Sequence, residues 1–388
     1  MTQRPASKIW EKGNWNLRCV RIFHETRDVK TFHFVDADQG ETQTLFRHKP
    51  GQFIVLRLRS DAHALNRSYT VASPPSRPET LQLTIKRDPN GLVSRYMHDH
   101  LKVGDVLPVS GPVGEFNSVD INSRRSLLLL SGGSGITPVM SILRYIYDSA
   151  DTETDVIFLH SSRTPADIIF RNELSTMAAA RDNLKIGFIC DADAEDGMRS
   201  GLFSFALLNE MAPDFLERTV LTCGPKPYMQ AIKDMLFMSG FDMKQYHEES
   251  FSEASNRRHP ENATPDTVGP QTGKGRLPDT IGEAESKLPA SDPPIVDSSA
   301  AGEQVVNFRI SGKSENYKAG ETLLAIASRA GIAVPTSCQI GLCGTCMLKI
   351  LRGEVEMDED EGLEDEFRAE GYRLSCCGHP KGTLDVEF

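Results

Sequence analysis

No stretch of this chain approaches the roughly 20 consecutive apolar residues that a membrane-crossing helix requires. Short apolar runs, such as the four leucines at 127–130, read instead as buried strands. Basic charge is outweighed as well. The chain has 43 Lys and Arg against 54 Asp and Glu, a formal net charge of −11, which argues against nucleic acid as a partner. Its first eight residues contain no apolar core of the kind a secretory signal carries. A cytoplasmic location is therefore expected, where thiols stay reduced. Cys19, Cys190 and Cys223 are too scattered for a disulfide framework, and the first two read as small buried hydrophobes. Phe, Tyr and Trp are missing altogether from residues 252–304, a segment loaded with Pro, Ser, Glu, Asp and Gly. Such a segment cannot bury enough apolar surface to offset its chain entropy. It is expected to be a linker whose ends lie on the order of 40 Å apart by random-coil scaling; the alternative is an insertion folded against its neighbours.

What is present has the makings of two or three domains: 388 residues, 39% hydrophobic and 25% charged, an ordinary globular composition. Beyond the linker, Cys338, Cys343 and Cys346 stand as C-x4-C-x2-C, with Cys376 about thirty residues further on. That is the ligand spacing of a plant-type [2Fe–2S] cluster. Gly341 and Gly344 lack a Cβ and let the backbone wrap closely around an inorganic core, and the loop amides can then point at its sulfides. A four-cysteine zinc site is the alternative, although zinc ribbons use two separate C-x2-C pairs, whereas here three cysteines cluster and one stands alone. Cys377 rivals Cys376 as the fourth ligand. Residues 372–376 (YRLSC) resemble the corresponding stretch of plant-type ferredoxins, which implies Cys376. Residues 305–310 alternate as a strand should, and 321–330 have helical spacing ended by Gly331. The order over 305–388 resembles the β-grasp fold of those ferredoxins, an α+β architecture.

A cluster that moves one electron at a time needs a donor. Arg67, Ser68, Tyr69 and Thr70 follow an alternating stretch at 50–58. Arg-x-Tyr-Ser/Thr on a strand of an antiparallel β-barrel resembles the flavin signature of the ferredoxin–NADP reductase superfamily. The residue types suit a flavin nucleotide, with Arg67 for a pyrophosphate, Tyr69 along the isoalloxazine and Thr70 towards flavin N5. Gly91, Val93 and Ser94 resemble that family's second flavin-phosphate segment at a helix start. Residues 104–116 resemble the Gly-Asp…Gly-Pro-x-Gly stretch that closes the barrel, which implies FAD rather than FMN. The expected barrel domain is 14–120.

Next, the leucines at 127–130 run into Gly132, Gly133, Gly135, Thr137 and Pro138 and then an apolar helix. A strand, a glycine-rich turn and a helix are the physical arrangement for a pyrophosphate. The alternative is a glycine-rich βα turn of any doubly wound α/β sheet. Gly-Gly-x-Gly-x-Thr-Pro resembles the reductase superfamily's version of this site, giving a parallel-sheet NAD(P)H-binding domain over 124–251. Ser162 and Arg163 at the end of the second strand could take a 2′-phosphate and so NADPH. The surrounding pattern also resembles NADH-using reductases, and NADH is preferred. Cys223, Gly224 and Pro225 resemble the segment beside the nicotinamide, Phe251 the residue that stacks on the flavin, and Glu249 a proton-relay partner near N5. Their plainer readings are a packed thiol and a C-terminal core anchor.

The whole order, barrel, nucleotide domain and C-terminal ferredoxin, resembles the reductase components of two-component Rieske oxygenases, nearest those acting on quaternary amines such as glycine betaine. It implies electron transfer from NADH through FAD and the cluster to an oxygenase component, with Thr70, Cys223 and Glu249 at the catalytic centre. Hybrid cluster protein reductase has the same domain order. A redox sensor without turnover is the reading from a different class, but no appended recognition module is visible. Residues 353–370 carry ten acidic side chains and one arginine, either a solvated face or a docking patch for a basic partner.

Overall fold

The computed structural model describes residues 8–38, 43–59, 64–121, 124–251, 269–270, 304–334, 336, 338–360, 362–363 and 365–388. Nearly all of the linker expected over 252–304 lies outside the described residues. The described residues fall into two compact units, one within Met1–Pro270 plus Pro335–Thr345, the other within Gln271–Val334 plus Cys346–Phe388.

The first unit begins with six antiparallel strands, β1 (Gly13–His24), β2 (Val29–Asp36), β3 (Phe53–Arg59), β4 (Ala64–Thr70), β5 (Leu81–Lys86) and β6 (Val106–Val113). They pair in the order β4-β3-β6-β1-β2-β5. A bridge between Val71 and Leu83 brings the end of β4 back to β5 and closes the ring. The side-chain period of two sends Leu17, Phe32, Phe34, Leu56, Leu83 and Val109 inward. Trp10, ahead of residue 14, joins the same core. One end is plugged by α1 (Leu92–Asp99), which contributes Val93, Tyr96 and Met97 to the barrel core.

A parallel sheet follows: β7 (Ser126–Gly132), β8 (Asp155–Ser162), β9 (Leu184–Cys190), β10 (Arg199–Ser200), β11 (Thr219–Gly224) and β12 (Tyr246–Ser250). Its order is β10-β9-β8-β7-β11-β12. The four leucines of β7 show why it is central. Leu127 and Leu129 pack with α2 (Ile136–Asp148) and α3 (Arg171–Ala179) on one face. Leu128 and Leu130 pack with α4 (Phe205–Met211) and α5 (Lys226–Met238) on the other. A strand covered on both faces reads as a continuous apolar run. The chain builds outward from β7 to β10 and then crosses back to β11, so a crevice opens at the carboxyl ends of β7 and β11.

The second unit carries β13 (Val305–Phe308), β14 (Lys313–Asn316), β15 (Met347–Met357), β16 (Tyr372–Leu374) and β17 (Gly378–Glu387) in the order β14-β13-β17-β15-β16. Only β13 and β17 are parallel. Helix α6 (Leu323–Arg329) lays Leu323, Ile326 and Ala327 on this sheet. It starts two residues later than the spacing at 321–330 suggests because Thr322 is the N-cap, accepting from Ala325 N at 3.3 Å. A short helix, α7 (Asp365–Ala369), follows β15. Barrel, doubly wound sheet and mixed α+β sheet are the three architectures expected.

Candidate functional site

β4 and the end of β12 meet at one cleft. Phe53, Arg67, Ser68, Tyr69 and Thr70 form one wall, and Glu249, Ser250 and Phe251 the other. Pairing of Phe53 with Thr70 across β3 and β4 sets the barrel wall. Thr70 is buried, Phe251 is exposed at the mouth, and Arg67 Nη1 donates to the Asn66 carbonyl at 3.0 Å. Burial raises the Tyr69 phenol and lifts the Glu249 carboxyl to about 7. Gly91 opens α1 without a side-chain cap, so the first-turn amides stay available to a ligand. The Ser94 hydroxyl accepts from Asp88 N at 3.1 Å, bracing this turn. Val93 is buried in the barrel core, which leaves only its backbone for binding.

At the sheet crevice, Gly132 ends β7, Gly133 takes φ +53° and Gly135 leads into α2. A Cβ on Gly135 would overlap the Cys223 carbonyl and Gly224 N, so only glycine lets the turn approach that strand end. The Thr137 hydroxyl donates to the Ser134 carbonyl at 3.3 Å. Cys223 is buried, in register between Ser131 and Glu249. Burial and then the neighbouring Glu249 push its thiol well above the ordinary range, so it packs as a neutral group. Gly224 leads into Pro225, the N-cap of α5. Ser162 is committed locally: its hydroxyl donates to the Thr164 carbonyl at 3.0 Å and lies 3.5 Å from Cys190 Sγ. Arg163 is exposed.

The cysteines stand as two pairs. Cys338 N donates to Cys343 Sγ at 3.4 Å and Cys343 N to Cys338 Sγ at 3.3 Å, while Cys346 Sγ and Cys376 Sγ are 3.2 Å apart. All four are buried. Among the described residues, no three His, Cys, Asp or Glu side chains close on a point suited to a single ion. Each pair lies within one unit, Cys338 and Cys343 in the first and Cys346 and Cys376 in the second. Ser375 Oγ, immediately before Cys376, is buried with no hydrogen-bond partner, while the Thr345 hydroxyl lies against Cys343. Such an orphaned hydroxyl suits a group that brings acceptor sulfurs of its own.

Several contributors were not legible in the sequence. Arg144, buried in the apolar run of α2, bonds Glu173 Oε1 at 2.8 Å and the Ala72 carbonyl at 2.7 Å, while Ser141 Oγ donates to the Ser73 carbonyl at 3.0 Å. These contacts tie α2 to the segment leaving β4. Tyr228 lays its ring against Gly132 and Gly224, where a Cβ would come within 3.2 and 2.7 Å of it. A lone arginine or serine in an otherwise apolar helix was the available signal. The cradle at Gly135, the uncapped start of α1 and the orphaned hydroxyl fit a nicotinamide nucleotide, a flavin nucleotide and an iron–sulfur cluster respectively.

Comparison with known proteins agrees. Residues 17–118 match the oxidoreductase FAD-binding domain, 129–234 the oxidoreductase NAD-binding domain, and 308–381 the 2Fe-2S iron-sulfur cluster binding domain. Fold and site thus define an oxidoreductase that binds FAD, NAD and a [2Fe–2S] cluster. The chain is 42% identical over 387 residues to the glycine betaine monooxygenase reductase subunit of Pseudomonas aeruginosa, covering 99% of this chain and 98% of that protein. It belongs to that reductase family. The stachydrine N-demethylase reductase subunit of Rhizobium meliloti is 33% identical over 392 residues, with both chains covered completely. Phthalate dioxygenase reductase shares the fold, with a TM-score of 0.54 at 22% identity over 97% of this chain and 98% of that one. Among the described residues, no helix is long and apolar enough to cross a membrane.

Proposed function

We propose that this chain is the NADH-dependent reductase component of a two-component oxygenase whose substrate is a betaine. The reading is supported by full-length similarity to the glycine betaine and stachydrine reductase subunits; both of those compounds pair a quaternary ammonium with a carboxylate. The observation that carries it is the 42% identity that runs through all three domains; the cleft lined by Thr70, Glu249 and Phe251 is where the flavin would lie.

When bound, FAD accepts two electrons from NADH and the [2Fe–2S] cluster passes them on singly. The chain's residues divide the remaining work. Arg67 and Ser68, with the amides at Gly91, Val93 and Ser94, would hold the FAD pyrophosphate, and Tyr69 and Phe251 would bracket its ring. Thr70 and Glu249 would hold a proton at the cleft, the carboxyl being poised by burial near pH 7. Gly132, Gly133, Gly135 and Thr137 would seat the NADH pyrophosphate. Cys223, Gly224 and Pro225 would seat the nicotinamide against the cleft, with a neutral thiol that excludes water. Ser162 and Arg163 would meet the adenosine end; because the Ser162 hydroxyl is already spent on Thr164, NADH is favoured over NADPH. Cys338, Cys343, Cys346 and Cys376 would ligate the cluster. The working parts are a barrel at 14–120, a nucleotide domain at 124–251 and a ferredoxin domain at 305–388, joined by 252–304, in a cytoplasmic protein.

Mixing the purified holoprotein with an oxygenase component, NADH, O₂ and glycine betaine tests this. Hydroxylation of an N-methyl group releases formaldehyde, so formaldehyde should form only when both proteins are present. NADH consumption without formaldehyde, alongside faster reduction of a hybrid cluster protein than of the oxygenase, would overturn it.

A further inference from the structure

Cys377 has no place in the ligand set proposed above, yet it is buried beside it. Its side chain is 6% exposed, and its Sγ lies 3.4 Å from Cys376 Sγ, within range of an S–H···S hydrogen bond. On its other side, Cys376 Sγ lies 3.2 Å from Cys346 Sγ. The backbone fixes this arrangement at both ends. Ser375 N donates to the Cys346 carbonyl at 3.0 Å, Asp358 N to the Cys377 carbonyl at 3.0 Å, and Cys377 N to the Leu374 carbonyl at 3.3 Å. The two consecutive side chains therefore share one buried pocket with Leu363, Leu374 and Cys346. An uncoordinated thiol carries an S–H that can donate, if weakly. Cys376, as a ligand, is a thiolate and can only accept.

Resting on that ligand set, we propose that Cys377 is a positioning residue that donates its S–H to the Cys376 sulfur and so raises the cluster's reduction potential. The physical reason is charge. Reduction adds one electron and one unit of negative charge to the centre, spread in part over the cysteine sulfurs. A donor aimed at one of those sulfurs stabilises the reduced state more than the oxidised one. In a buried pocket the dipole is little screened, although a thiol is a weak donor. Its effect should therefore be a threefold to tenfold change in electron affinity, which the one-electron conversion makes ~30–60 mV.

The experiment uses the full-length holoprotein with Cys377→Ala, Cys377→Ser and Cys376→Ala variants. Iron and acid-labile sulfide are counted per chain, and the potential is read by EPR-monitored titration with dithionite. C377A should retain a full cluster with a potential ~30–60 mV more negative. C377S, which restores an O–H donor, should recover part of the shift, and C376A should lose the cluster. A full cluster at unchanged potential in C377A would overturn the tuning role and leave the ligand set intact. Loss of the cluster in C377A with retention in C376A would overturn the ligand set itself. If both single variants keep a full cluster, Cys377 is an interchangeable ligand rather than a donor, and the proposal fails on that count.

Discussion

Burial against the cleft wall lifts the Glu249 carboxyl from the ordinary carboxylate range to about 7, so its protonation changes near neutral pH. Below that point it carries a proton, and above it a charge that the cleft does not pair. The rate of NADH-driven flavin reduction should follow one group of pKa near 7. Glu249→Gln should abolish that limb and slow the reaction by about 10²-fold; a limb surviving in E249Q would assign it elsewhere. The sign of the stability effect follows from the same shift. A folded-state pKa above the ordinary ~4.3 means that ionisation costs stability. The contribution is whole below that value and is lost as pH rises through about 7. Gly135 gives a second residue-scale expectation. Since any Cβ there overlaps the Cys223 carbonyl, Gly135→Ala should raise KM for NADH at least ~10-fold while leaving flavin content unchanged. Equal losses of flavin and of NADH binding would count against a role confined to the nucleotide turn.

Elements differ in how far their sequences announce them. The four leucines of β7 sit between two helical layers, and their run foretold that both faces would be covered. The cysteine spacing pointed to three clustered thiols and a distant fourth, but not to their pairing, because Cys346 meets Cys376 only through the fold. Arg144 was illegible: a cation within an apolar helix reads as a solvent-facing break in the pattern, and only tertiary structure supplies Glu173 and the Ala72 carbonyl. Removing it leaves the Ala72 carbonyl unpaired at the junction between α2 and the barrel and takes a buried ion-pair partner from Glu173 of α3. Arg144→Ala should cost about 3 kcal/mol in urea unfolding, against a near-neutral change for the exposed Arg199→Ala control. The acidic run over residues 353–370 is partly engaged. Arg368 takes Asp360 and Asp365, His379 takes Asp358, and Lys381 takes Glu356, all at the surface. Exposed pairs of this kind contribute little to stability, and ten acidic side chains against one arginine keep the segment net negative. Turnover with a protein acceptor should fall steeply as salt rises, while ferricyanide reduction should not. Equal salt sensitivity in the two assays would remove the docking role.

For the whole molecule, the three architectures and their order were implied by the resemblance of three local motifs to known families. The meeting of Thr70 with Glu249 and Phe251 was not legible from spacing, since it depends on the parallel sheet delivering the end of β12 to the barrel wall. Resemblance supplied that expectation, and the cleft supplies its geometry. The division of labour that results is the central claim: nicotinamide and flavin chemistry reside in the barrel and nucleotide domains, and the four-cysteine site serves as the outlet. A Cys343→Ser variant with full flavin content tests it most directly, by comparing NADH-driven reduction of ferricyanide with that of cytochrome c. Ferricyanide reduction should persist near the parent rate, while cytochrome c reduction should fall by about 10²-fold or more. Loss of both activities together, or survival of both, would contradict the account.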